Sequence, residues 1–179
     1  MTLDQKTIRR AIETRSPNGA TTLAKTLEGR GQIQEILSLR EIDAQVIPAL
    51  VGELFEREGL GGLKRVIEFG ANAASRREAT QRFVSEVRKA NLVKENGFAL
   101  AGIHYLNHER NPKTGRMDLS RIRDPQIDGL IGRILCENGL ARRLVEEYHA
   151  IELEKTPVRE LAAKERELEG KYLEKYLPN

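Results

Sequence analysis

Three histidines, His104, His108 and His149, are the whole imidazole complement of the chain. His104 and His108 are four apart, so on a helix they share a face, with Glu109 beside them. Glu146 and His149 form a Glu-x-x-His pair. Together these residue types would offer three or four ligands to a transition metal. A di-iron bundle requires Glu-x-x-His on each of two helices and a Glu from each of two more; here the motif occurs once. His104 also falls in the apolar stripe from Leu100, as a hydrogen-bonded core histidine does, and His149 borders the Tyr148 face. The expectation is no metal site and no cofactor.

Nucleophilic chemistry has little to work with. The one cysteine, Cys136, lies between Leu135 and Glu137 with no histidine near it in sequence, and a lone Cys is commonly a small buried hydrophobe. No serine stands in a Gly-x-Ser-x-Gly turn. Gly59-Leu60-Gly61-Gly62-Leu63-Lys64-Arg65 would place amides and two cations at a helix N-terminus, where anions bind. Its spacing matches neither the Walker nor the dinucleotide pattern, and no strand precedes it. A glycine helix stop at Gly59 explains it more simply. No catalytic residue is assigned.

Charge placement says more. The net charge is only +3, yet between Lys64 and Lys94 eight cations face three glutamates, a local +5. They are Lys64, Arg65, Arg76, Arg77, Arg82, Arg88, Lys89 and Lys94. Helical spacing puts Phe83, Val87 and Ala90 on one arc, with Arg82 and Lys89 on the other side and Arg77 and Arg88 beside them. A following loop adds Arg110, Lys113, Arg116, Arg121 and Arg123. A basic helix face near a basic loop fits a phosphate backbone. The candidate polyanion-binding residues are therefore Lys64, Arg65, Arg77, Arg82, Arg88, Lys89, Arg116, Arg121 and Arg123. Aromatic residues for base stacking are nearly absent from this patch, Phe83 being on the core side.

The elements that must carry these residues are helical. The 22 Leu and 16 Ala outnumber 8 Val and 9 Thr, which favours helix over strand, and apolar residues recur at helical spacing without sustained alternation. The expectation is an all-α, irregular bundle of seven to nine helices, with Leu, Ile, Val and Phe, 26% of the chain, building its core. Thr2 with Gln5 and Ser75 with Glu78 read as capping boxes. Pro48 marks a kink or a helix junction near Val46. Asn96-Gly97 reads as the stop of the helix bearing Phe83, and the apolar run from Phe98 as a central buried helix. Asp124-Pro125 and Thr156-Pro157 read as N-caps followed by Pro at the first helical position. A weak helix at 22–27 and a long loop at 110–124 complete the outline.

The domain reading is a bundle over 1–156 and a C-terminal helix over 157–179. The narrow Val158, Leu161, Leu168 and Tyr172 seam of that helix would close over the bundle or dock on another chain. One Cys excludes an intrachain disulfide and points to a reducing compartment. The polar start MTLDQKTIRR carries no apolar leader pattern, and no apolar run approaches the roughly 20 residues of a membrane span. A cytoplasmic location, or one inside an intracellularly assembled particle, is expected.

These features converge on a non-enzymatic helical subunit of a larger, viral or nucleoprotein-type assembly. It would touch neighbouring subunits, in a homo- or hetero-oligomer, and a polyanion such as nucleic acid. A helix-turn-helix DNA-binding or packaging protein, with Arg142 and Arg143 after Asn138-Gly139, is the alternative. A metal-dependent enzyme built on His104, His108 and Glu146 or His149 is the third.

Overall fold

A computed structural model of the protein describes residues 33, 34, 37, 42, 44–70, 72–107 and 124–178. The described residues form seven helices and no strand, as the composition requires. They are α1 (Ile47–Phe69), α2 (Ala73–Lys89), α3 (Gly97–Leu106), α4 (Pro125–Glu137), α5 (Ala141–Tyr148), α6 (Ala150–Lys155) and α7 (Val158–Tyr176). None among the described residues is long and apolar enough to cross a membrane. The chain divides into two compact units, Met1–Glu86 and Val87–Asn179, with the boundary inside α2. The 156/157 position named from sequence falls within the second unit. The Thr2–Gln5 capping box, the weak 22–27 helix and the Arg110–Arg123 loop lie outside the described residues.

In the first unit, α1 opens as the proline dictates. Val46 is the N-cap residue and Pro48 occupies the first turn, where a missing N–H costs nothing. Ile47, Leu50, Val51 and Leu54 are buried, and so are Leu63, Val66 and Ile67. In an unbroken helix of about 3.6 residues per turn, Leu63 would lie on the side opposite Leu54. Gly59 removes the conflict. Its φ of 61° and ψ of −152° are non-helical, a combination almost confined to glycine, and it rotates the second apolar stripe back toward the core. The glycine stop read at Gly59 is thus a kink, after which the helix resumes at once.

Helix α2 begins earlier than the Ser75–Glu78 box implies. Asn72 Oδ1 accepts from Ser75 N at 3.0 Å, so Asn72 is the cap and Ser75 is buried inside the helix. The helix also ends earlier than Asn96-Gly97. Asn91 adopts φ 55°, Leu92 N donates to Val87 O at 2.9 Å and Asn91 N to Arg88 O at 3.1 Å. This is a Schellman stop with asparagine in the left-handed position.

In the second unit, α3 packs against α4 and α5, and α7 lies on α4, α5 and α6. Asp124 Oδ1 accepts from Gln126 N at 3.1 Å and Ile127 N at 3.2 Å, the cap expected of Asp124-Pro125. Gly139 (φ 68°) ends α4 with the same paired bonds, Leu140 N to Leu135 O at 2.7 Å and Gly139 N to Cys136 O at 3.1 Å. At Thr156-Pro157 the break is present but the chemistry differs. The Thr156 hydroxyl donates back to Glu152 O at 2.9 Å, closing α6, and Pro157 is itself the N-cap residue of α7.

Candidate functional site

The basic residues picked from sequence divide into four groups. Arg77, Arg88 and Lys89 are exposed, on the arc of α2 opposite buried Ala79, Phe83 and Val87. Arg88 and Lys89 occupy the last turn of α2, where the helix dipole favours cations. Arg65 and Arg82 are turned onto their own unit. Arg65 reaches the Glu58 carboxylate, which also accepts from Gln34 Nε2 at 2.9 Å. The Arg82 guanidinium lies 3.1 Å from Glu86 and 3.9 Å from Glu56 and 5.0 Å over the Phe55 ring. Its neighbour Arg76 is buried, with Nε donating to Ile67 O at 3.0 Å. Lys64 is half-buried on α1. Arg116, Arg121 and Arg123 lie outside the described residues.

One aromatic residue stands at the surface where sequence placed a buried helix. Phe98, in the first turn of α3, is 66% exposed. The Arg143 guanidinium carbon lies 3.8 Å from its ring centroid, and Arg143 Nη1 also donates to Glu146 Oε2 at 2.8 Å. Arg142 bonds Glu165 at 3.1 Å and pairs with Glu146 at 3.2 Å. Both arginines of the candidate recognition helix are thus engaged with carboxylates of the second unit.

His104 and His149, the two histidines among the described residues, have separate partners. His104 is fully buried, with Nδ1 2.7 Å from Tyr148 Oη and Nε2 2.8 Å from Tyr176 Oη. Asp128 Oδ1 lies 3.2 Å from the same Nε2. Each ring nitrogen thus meets a tyrosine hydroxyl, one of the two nitrogens donating and the other accepting in the neutral imidazole. His149 pairs instead with Glu152 at 3.0 Å and Tyr172 Oη at 3.2 Å, and Glu146 with the two arginines. His108 lies outside the described residues. Among the described residues no three metal-ligating side chains converge.

All four tyrosines of the chain, Tyr105, Tyr148, Tyr172 and Tyr176, join this cluster. Tyr172 and Tyr176 lie parallel, 6.4 Å apart, and Tyr148 is edge-on to His104 at 5.5 Å. Burial pushes the Tyr172 phenol up to about 12. Burial, then the charge of Asp128, raises Tyr176 as well. Sequence reading gave the faces of these residues but not their meeting point, because helical spacing carries no information about which distant helix a face meets. Cys136 is buried, and its thiol is pushed up to about 11 by burial, then by Glu169 and Glu137. A thiol held protonated at neutral pH is a poor nucleophile.

Comparison with protein-family models, with curated proteins and with solved structures finds no match.

Proposed function

We propose that the protein is a non-enzymatic helical subunit of a larger assembly that contacts a polyanion, nucleic acid in particular, through the outward cations of α2. The observation that carries the reading is the division of charge on that helix. Arg76 and Arg82 serve the fold, while Arg77, Arg88 and Lys89 stand on the exposed arc. Cations so placed neutralise phosphates without disturbing the core and release counterions on binding. The assembly half of the reading draws on apolar side chains left at the surface of α6 and α7, Ile151 and Val158 among them, Val158 being 89% exposed. The Tyr148 and Tyr176 phenols around His104 and the protonated Cys136 thiol favour structural over catalytic roles for those groups.

The test is titration of the full-length protein with labelled DNA over a salt series. Binding is expected to weaken log-linearly as salt rises, with little sequence preference. Reversing Arg77, Arg88 and Lys89 to Glu together should lower the salt slope by roughly 2 to 3 and leave the far-UV circular dichroism unchanged. Sequence-selective duplex binding, lost on Arg142→Glu but kept in the triple reversal, would put the helix-turn-helix reading in its place.

A further inference from the structure

A lone exposed phenylalanine is ordinary surface; Phe98 is set apart by how it is held and by what precedes it. Arg143 lies over its ring at 3.8 Å and is itself fixed by Glu146. At Gly97 an added Cβ would lie 3.3 Å from Leu140 Cδ1 and 3.6 Å from Arg143 Cγ, so the start of α3 sits closely on the start of α5. The seven residues between α2 and α3 form a pinned turn. Asn91 closes α2, Val93 is buried, and Asn96 N and Gly97 N donate to Leu92 O and Lys94 O at 3.1 and 3.4 Å. Arg88, Lys89 and Lys94 are exposed and belong to the same short stretch of chain as Phe98, inside the second unit.

We infer that this stretch binds single-stranded nucleic acid, with an unpaired base stacking on the Phe98–Arg143 pair and the backbone phosphates following Lys94, Lys89 and Arg88. The inference rests on the polyanion reading above and narrows its ligand. Cations alone would serve a duplex, a single strand or an acidic peptide equally. An exposed aromatic ring in the same stretch favours a ligand with an open π-face, and in a duplex those faces are stacked on neighbouring bases. Stacking of this kind tolerates any base, so affinity follows strand state rather than sequence.

The test compares three fluorescent ligands by anisotropy with the full-length protein. They are an oligothymidylate of about 12 nucleotides, within the usual site size, an abasic strand with the same phosphates, and a duplex of equal length. Wild-type protein is expected to bind oligothymidylate about tenfold tighter than the abasic strand, the size of one stacked base. Phe98→Leu should lose that about tenfold advantage while leaving the salt slope and the abasic affinity unchanged; Phe98→Tyr should retain it. Equal wild-type affinity for the oligothymidylate and abasic strands overturns the inference and requires no variant. So does a Phe98→Leu protein that binds oligothymidylate as wild type does. If all three ligands bind alike and the Arg77, Arg88 and Lys89 reversal weakens each, the polyanion reading stands without the stacking platform. If wild type binds none of them, both fall.

Discussion

Gly132 lies inside α4 under the ring of Tyr176, and replacing it with alanine sets two opposed effects against each other. Alanine in a helix interior is favoured over glycine by about 0.5–1 kcal/mol. Against this, the new Cβ would lie 2.7 Å from Tyr176 Cδ1 and closer still to Cζ and Cε1, where carbon atoms rest at about 3.5–4.0 Å. The ring must withdraw by roughly 1 Å. Its hydroxyl is tied to buried His104 at 2.8 Å, and a retreat of about 1 Å would stretch that bond beyond the hydrogen-bonding range of about 3.2 Å. Overpacking costs about 1–3 kcal/mol, and weakening the partnership of a buried imidazole adds up to about 1–3 kcal/mol. The cost exceeds the helix-propensity gain, so Gly132→Ala is expected to destabilise by about 1–3 kcal/mol. Gly129 and Gly170 lie in helices where an added Cβ would meet no atom within 4 Å, and alanine at either should stabilise by about 0.5–1 kcal/mol. Urea unfolding followed by circular dichroism reads all three. Adding Tyr176→Ala to Gly132→Ala should give a sub-additive loss, as residues in contact do. A Gly132→Ala protein stabilised as much as Gly129→Ala would refute the seating of Tyr176 on α4. It would favour the C-terminal helix docking elsewhere, on a partner chain.

Two further outcomes follow from local chemistry. Asp124→Ala removes the acceptor of two α4 amides and should lower stability by about 1 kcal/mol; a melting temperature equal to wild type, with Asp124→Asn as a milder comparison, would deny the cap. Stability should fall as pH rises from 9 to about 11, because the unfolded Cys136 thiol, at its ordinary 9.0, gives up its proton while the folded one, near 11, keeps it. Tyr172 and Tyr176, both raised, extend the same loss above pH 10. Cys136→Ala should flatten the first part of the profile, and a urea midpoint constant from pH 9 to 11 would contradict the direction of these shifts.

What the sequence disclosed was local chemistry. Asp124-Pro125, Asn138-Gly139 and the Pro48 junction act through side chains and backbone within a few residues, so their effect survives in any tertiary setting. Asn72 and Asn91 were missed for a related reason. Each competed with a stronger-looking neighbour, Ser75–Glu78 or Asn96-Gly97, and the outcome depended on burial of Ser75 and Val93, which no local pattern encodes. The His104 cluster was wholly out of reach. Its partners Asp128, Tyr148 and Tyr176 come from α4, α5 and α7, as many as 72 residues away, and periodicity names a face without naming what it meets. The same limit applies to Arg82, whose ion pairs with Glu56 and Glu86 join two helices.

Phe98 departs from the burial that its sequence pattern leads one to expect. The run from Phe98 to Ile103 is apolar on every side, a pattern that ordinarily means a fully buried helix. Helix α3 is covered on one arc only, through Leu100, Ala101, Ile103, His104 and Tyr105. At about 100° per residue its other arc holds Phe98, Ala99, Gly102 and Leu106. Ala99 and Gly102 are small enough to stand half-exposed at little cost, and Leu106 is half-buried. On this arc it is Phe98 that places a large ring in water, and there it meets the Arg143 guanidinium. A solvent-facing ring under the Arg143 guanidinium contributes little to the core it leaves. It does supply what a set of cations lacks, a surface on which an unpaired base can lie.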